Sequence, residues 1–306
     1  MVDKSSRGRT GLILATTSRG VYALDPKQSA APKKILEVRP RGFWGRRHKL
    51  GFFGVASDAR SNVYLAERVQ PSWVTKKQRT SVSCLSCGDL SLKSVVDVPG
   101  CSDVHQIAFF KESLFLTDTA KDRVLVFDLA KRCQSVVLNL GSVREDESHI
   151  NALHASSDRL LIGLNNRSLR DSVVVDLAYS SIFGGDEQMN IEDYGTIHRL
   201  CGITDTHDLE PIDGRILCSA SKSGKVFDLD SGAIVFSGSG WVRGLTSDVN
   251  YIYIGESPRA SRKKRHGNEL SPMVTKIEKH SLAVVGKQKI SAGGQLNDLI
   301  FLSDDF

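Results

Sequence analysis

The chain has 306 residues, a formal net charge of +6, 40% hydrophobic residues and 25% charged residues. That length suits one large or two ordinary domains, and the composition is that of a globular protein. It excludes a membrane-spanning helix, because no apolar run approaches about 20 residues. The basic excess also falls short of what a nucleic-acid partner calls for.

The N-terminus, MVDKSSRGRTGLILATT, starts basic but lacks a long apolar core and a small-residue cleavage site. No signal peptide is expected, and the protein is expected in the cytoplasm. Cys84 and Cys87 form a CxxC without a second pair to complete a zinc site. They are expected to be ordinary thiols in a reducing compartment.

Strand signals dominate from end to end. Short β-branched and aromatic runs are bounded by Gly, Asp, Ser and Asn, and helical periodicity is nearly absent. The first unit runs from Gly11 to Thr17, Gly20 to Asp25 and Lys34 to Val38, and a basic loop follows from Arg39 to Lys49. The second runs from Gly51 to Val98, and the third from Val104 to Leu140. The fourth, from Ser148 to Leu200, contains an irregular stretch from Ala178 to Tyr194. The fifth, from Thr206 to Phe236, is a polar-headed meander. The sixth starts at Trp241 and is interrupted by a charged loop from Arg259 to Glu269.

One strand, Leu296 to Phe301, is left over, and the first unit lacks an initial strand. Joining the two gives six units spaced by roughly 50 residues, as repeat blades are. The expected fold is therefore all-β: one six-bladed β-propeller domain over residues 1–306, with four-stranded antiparallel blades. The ring is closed by the C-terminal strand joining the N-terminal three, which leaves few exposed edges. Five or seven blades is the alternative, because the irregular stretch could hold another hairpin.

The first strands align as Phe53-Gly54-Val55, His105-Gln106-Ile107, Ile150-Asn151-Ala152, His207-Asp208-Leu209, Arg243-Gly244-Leu245 and Asn297-Asp298-Leu299. In a propeller these strands line the central channel. The alignment therefore predicts a polar ring of His105, His149, His207, Arg243 and Asn297, with Gln106, Asn151, Asp208 and Asp298 beside them. Buried polar groups need partners, and a ring offers each other, water, a metal or a ligand.

Two chemistries fit. Asp208, Asp298 and Asn151 could give oxygen ligands to Ca²⁺ or Mg²⁺, and His105, His149 and His207 could hold Zn²⁺ or Mn²⁺. The metal set singled out is His105, His207 and Asp208. Alternatively, Arg243 clamps a carboxylate or phosphate, and a histidine acts as acid or base. His105, His207 and Arg243 are the catalytic candidates. His149, Asn151, Asn297, Asp298 and Arg259 are the ligand-binding candidates. Asn165 and Asn166 could reach the same mouth. Glu256 and Arg259 are expected to form an exposed salt bridge worth little. His154 and His198 fall outside the register. No P-loop, dinucleotide fingerprint or Ser-His-Asp spacing occurs.

Several segments together carry a family resemblance. They are His105-Gln-Ile-Ala-Phe-Phe110, His149-Ile-Asn-Ala-Leu153, Thr206-His-Asp208, Trp241-Val-Arg-Gly-Leu245 with Gly255-Glu-Ser-Pro-Arg259, and Asn297-Asp-Leu299. The chain resembles the propeller-like domain of the uncharacterised DUF4915 family over roughly residues 50 to 302. It departs from that pattern at Thr206-His207-Asp208 and at Glu256. The resemblance implies a fold and a set of positions, but no activity. More distantly, the architecture is similar to gluconolactonase-like and NHL-type propellers, which include both metal-dependent hydrolases and binding scaffolds.

Two functions follow from these readings. One is a hydrolase, lyase or isomerase acting on a small polar or anionic ligand. The other is a non-catalytic protein-interaction module that uses the basic loops Arg41–Lys49 and Arg259–His266.

Overall fold

The computed structural model describes residues 11–27, 30–38, 51–58, 60, 62–68, 80–86, 88–101, 103–139, 147–166, 170–183, 188–190, 195–200, 202–261, 264–265, 267 and 269–303. The chain forms six antiparallel blades in a ring, a β-propeller. The basic loop at 39–50, Cys87 and His266 lie outside the described residues. Cys84, Cys101, Cys133 and Cys218 are free thiols. Among the described residues no helix is long and apolar enough to cross a membrane.

Blade one pairs β25 (Leu296–Leu302) with β1 (Leu12–Thr17), followed by β2 (Gly20–Leu24) and β3 (Lys33–Glu37). The C-terminal strand thus closes the ring as expected. Blade two holds β4 (Gly51–Ser57), β5 (Asn62–Arg68), β6 (Thr80–Ser86) and β7 (Leu92–Val98). Blade three holds β8 (Ile107–Phe110), β9 (Ser113–Asp118), β10 (Arg123–Asp128) and β11 (Cys133–Asn139). Blade four holds β12 (Ile150–Ala155), β13 (Arg159–Leu164), β14 (Val173–Ala178) and β16 (Thr196–Arg199). Blade five holds β17 (Thr206–Ile212), β18 (Arg215–Ala220), β19 (Lys225–Asp228) and β20 (Ile234–Ser237). Blade six holds β21 (Trp241–Ser247), β22 (Tyr251–Ser257), β23 (Met273–Glu278) and β24 (Val284–Lys289). The innermost strands touch in the closed order β25, β4, β8, β12, β17, β21 and back to β25.

The irregular stretch adds no blade. It contributes a five-residue helix, α1 (Tyr179–Phe183), and a strand, β15 (Gln188–Asn190). β15 pairs parallel with β11 and so widens blade three to five strands.

Burial follows position within the blade. β1 is buried from its second residue onward, and the outer strand β16 is exposed throughout. Strands covered on both faces need continuous apolar runs, whereas an outer strand does not. Each apolar core cluster lies in the seam between two neighbouring blades. Leu14, Val21, Val63 and Leu65 join blades one and two, and Leu116, Leu125, Val82 and Phe53 join two and three. A single blade therefore has no core of its own, as in other repeat architectures.

Five of the six innermost strands share one irregularity. Phe53, Asn151 and Asn297 are each an extra residue in the pairing with the second strand. The same register shift falls at His207-Asp208 and at Arg243-Gly244. A β-bulge of this kind turns the extra side chain out of the pleat and leaves backbone groups without ladder partners. It also corrects the sequence alignment of blade four. Asn151, not Ile150, is the counterpart of Phe53, so Ala152 is the counterpart of Gly54.

The residue after the extra one alternates around the ring. It is Asp298, Gln106 and Asp208 in blades one, three and five, and Gly54, Ala152 and Gly244 in blades two, four and six. The small residues sit where innermost strands crowd together. A Cβ on Gly54 would lie 2.7 Å from the Ile107 nitrogen. One on Gly244 would lie 2.9 Å from the Leu299 nitrogen, at a φ of +78° that favours glycine. Gly244→Ala is expected to lower the unfolding free energy by about 2–3 kcal/mol. Gly88→Ala, with nothing within 4 Å of the new carbon, should change it by less than about 0.5 kcal/mol. Chemical denaturation of both variants checks this contrast.

Candidate functional site

The bulges face a central channel with two chemically different ends, separated by a polar belt. The belt consists of the three longer side chains of the alternation. Asp298 Oδ2 accepts from the Val55 N–H at 3.0 Å, Gln106 Oε1 from Leu153 N–H at 2.6 Å, and Asp208 Oδ2 from Gly244 N–H at 2.8 Å. Each acceptor reaches the next blade, from one to two, three to four and five to six. Buried backbone donors left by a bulge must find such partners. Gln106 Nε2 donates to Asp208 Oδ1 at 2.6 Å, and Ser219 Oγ to Asp208 Oδ2 at 2.9 Å.

Burial pushes the Asp208 carboxyl up to about 6. It pushes Asp298 well above the carboxylate range, helped by the charge of Asp208. Two acids facing one buried space cannot easily both ionise.

On one side of the belt lies a cavity of about 290 Å³, with Asp208 and Asp298 at its base. His154 and Glu210 stand in its lining, their Nδ1 and Oε2 atoms 3.5 Å apart.

The other end gathers the predicted histidines. The ring centroids of His105 and His149 are 5.4 Å apart, and those of His105 and His207 are 5.5 Å apart. Phe53 packs edge-on against His105 at 6.0 Å. Thr117 Oγ1 accepts from the His105 N–H at 2.8 Å and holds the start of blade three. His149 has a φ of 50°. Asp122 of blade three holds that strained turn, with Oδ1 accepting from the His149 N–H at 2.7 Å. Burial, joined by nearby Arg68, lowers the His105 pKa well below its usual value. Burial and then Arg243 do the same to His207. Both imidazoles are therefore neutral at pH 7, and each offers one donor and one acceptor nitrogen.

Arginines surround these rings. Arg243 is 8% exposed, its Nε donates to Ser221 Oγ at 3.3 Å, and its guanidinium stands 5.6 Å from the Trp241 ring centre. The Gln295 amide oxygen, oriented to match the donors around it, accepts from Arg243 Nη1 at 3.1 Å. Arg265 covers the same Trp241 ring at 3.6 Å. Burial first, and then Arg265, push the Arg243 pKa down to about 9. Among the described residues no carboxylate lies within ion-pair distance of Arg243. Asp208 and Asp205 act on it only from farther away. Asp208 is held in the belt, and Asp205 pairs with Lys222 at 3.2 Å.

Arg68 is a candidate-site residue that the sequence alignment missed. It ends β5, is 2% exposed, pairs with Asp103 Oδ1 at 2.6 Å, donates to Val104 O at 2.6 Å and stacks 3.7 Å over Phe53. A signal existed in the second strands. Two residues beyond the bulge partner, the other blades carry Ser18, Thr119, Asn165, Ser221 and Ser257. Several of these short polar residues tie into a neighbouring innermost strand. The Leu296 N–H, for example, donates to Ser257 Oγ at 2.9 Å, and Thr119 Oγ1 donates to Ile150 O at 2.6 Å. Arg68 breaks that pattern. Arg265 and Gln295 gave no comparable signal.

The structure thus brings His105, His149, His207 and Arg243 together at one end, with Asn151 and Asn297 as equivalent bulge residues. Asp208 and Asp298 belong to the belt behind them. Arg259 is exposed and donates to Ser239 O at 3.0 Å. The expected Glu256–Arg259 surface pair is corrected. Glu256 is 3% exposed, accepts from Thr275 Oγ1 and lies 3.5 Å from Lys287 Nζ.

A metal on His105, His207 and Asp208 finds no support in this geometry. Both Asp208 oxygens are taken by the belt. Among the described residues no group of three or more His, Cys, Asp or Glu side chains is arranged to hold an ion.

No family model matches the chain, so the resemblance to the DUF4915 family rests on the quoted segments alone. No curated protein matches it in sequence. Solved structures do match in fold. A chain of the nidogen/laminin complex aligns with a TM-score of 0.67 at 12% identity, covering 96% of this chain and 98% of that one. A protein of unknown function from Bacteroides caccae aligns with a TM-score of 0.61 at 11% identity, covering 96% and 99%. The RRP9 WD40 repeats align with a TM-score of 0.51 at 10% identity, covering 96% and 84%. At these identities the likeness is one of fold.

The belt makes a signed prediction about pH. The folded-state pKa of Asp208, about 6, lies above the unfolded value of about 4. Its contribution to stability is therefore full below about pH 4 and is lost as pH rises through about 6. Wild type should lose more unfolding free energy across this window than Asp208→Asn does, as measured by denaturant titration at each pH. Equal slopes would contradict the assignment.

Proposed function

We propose that this propeller binds a small anionic molecule, a carboxylate or a phosphate, at the histidine end of its channel, with Arg243 as the clamp. The single observation behind this reading is a buried guanidinium whose near partners, Ser221 and Gln295, are both neutral. A buried charge without a counter-ion costs several kcal/mol, and a bound anion removes that cost. Arg265 adds positive potential to the same end.

Neutral His105 and His207 beside a cation also supply the parts of general-base chemistry on a carboxylate-bearing substrate. A hydrolase, lyase or isomerase reading rests on these two residues and on no metal. The quoted segments further support placement in the DUF4915 family, which adds positions but no activity.

The clamp has a double signature. Arg243→Met should fold at least as stably as wild type without ligand, because an uncompensated buried charge is gone. Its affinity for succinate or inorganic phosphate should fall by about 2–5 kcal/mol. Calorimetry and thermal melts of both proteins test this. A variant that melts lower and binds equally well would sink the reading.

A protein-interaction role is the second reading. It is favoured by apolar side chains on outer strands, where Leu92, Val95, Ile234, Val284 and Val285 are about half exposed. Val284→Lys with Val285→Glu should abolish a partner complex while leaving anion binding intact, which a pull-down combined with calorimetry would separate.

A further inference from the structure

The anion-binding end also carries acceptors that an anion cannot satisfy. Asn151 is 1% exposed and Asn297 is 4% exposed, and the Oδ1 atom of each has no hydrogen-bond partner among the described residues. The Asn297 amide is oriented by its Nδ2, which donates to Phe52 O at 2.8 Å, so its oxygen is turned away from that strand. Asn165 adds a third such Oδ1, on a residue 6% exposed whose backbone N–H donates to His149 O at 3.2 Å.

The ring order places these oxygens around the clamp. Reading from blade one, the bulge positions and their counterpart in blade three carry Asn297, Phe53, His105, Asn151, His207 and Arg243. Asn297 is therefore the neighbour of Arg243 across the closing seam, and Asn151 lies between the two buried histidines. Neutral His105 and His207 each add an acceptor nitrogen. The site is thus cationic at one point and rich in acceptors around it.

A buried acceptor left unpaired costs about as much as a lost hydrogen bond, so the ligand must bring donors. A second cation could do so as an ammonium group. Arg243 and Arg265 oppose that by like-charge repulsion. A hydroxyl donates without charge.

We infer that the ligand is a hydroxylated acid: a small carboxylate or phosphate ester whose anionic group meets Arg243 and whose hydroxyls donate to Asn151 and Asn297. This inference rests on the anion-binding reading and deepens it.

The test is a calorimetric series on the full chain with succinate, malate and tartrate. These share a four-carbon dicarboxylate and carry increasing numbers of hydroxyls. Methyl phosphate against glycerol phosphate repeats the comparison for the other anionic group. Affinity should rise roughly three- to tenfold per added hydroxyl within whichever series binds. In Asn151→Leu and Asn297→Leu that rise should flatten, while binding of the unhydroxylated member holds. If Asn297→Leu fails to fold for want of its bond to Phe52, Asn151→Leu carries the comparison. Asn151 has no side-chain hydrogen bond to lose among the described residues. Equal binding across a series, with Arg243 still required, overturns the hydroxyl inference and leaves the anion reading standing. No binding by any of the five probes overturns both.

Discussion

Six innermost strands converge on one axis, and every other feature of this propeller answers to that crowding. Five of the six strands bulge, and each bulge strips backbone groups of their ladder partners. The repair comes from the neighbouring blade. Asp298, Gln106 and Asp208 accept the amide protons of Val55, Leu153 and Gly244. Room for these side chains exists because Gly54, Ala152 and Gly244 alternate with them. The belt is therefore a packing solution and a hydrogen-bonding solution at once. It uses carboxyl groups that burial has made reluctant to ionise. The apolar seams between blades act in the same direction, since no blade can bury its faces without its neighbours.

The belt also divides the channel. The cavity behind it draws on Asp208, Asp298 and Glu210. The opposite end draws on Arg68, Arg243 and Arg265 around the histidines. Because Asp208 is fully engaged inside the belt, it screens Arg243 only weakly and cannot serve as its ion-pair partner. The same carboxylate that stabilises the ring thereby leaves Arg243 without an ion-pair partner among the described residues. Residues that serve the fold and residues that strain it stand one position apart in the same bulge. Asp208 follows His207, and Gly244 follows Arg243.

Departure from the repeat marks the site more sharply than polarity does. A propeller channel is commonly wet, so a polar lining alone carries little information. Arg68 is informative because the other blades place Ser, Thr or Asn at its position, and several of these tie strands together. Arg243 is informative because it is a bulge residue with charge and no counter-charge at ion-pair distance among the described residues. Glu256 is a warning in the other direction. It follows an apolar strand and precedes an arginine, yet it is buried against Thr275 and Lys287 and belongs to the packing of blade six.

The strands, the sixfold repeat, the closure by the C-terminal strand and the identity of most ring residues are legible in the amino-acid order. These depend on period-two patterning and turn residues, which act over a few positions. Tertiary structure alone decided the register of blade four, because a bulge is one extra residue that local pattern cannot locate. It also decided which polar residues form a belt and which gather in the candidate site, since the difference lies in contacts between strands far apart in the chain. Gln106 and Asp208 meet across 102 residues, and the absence of a carboxylate beside Arg243 among the described residues is a property of the closed ring, which no short window of sequence contains.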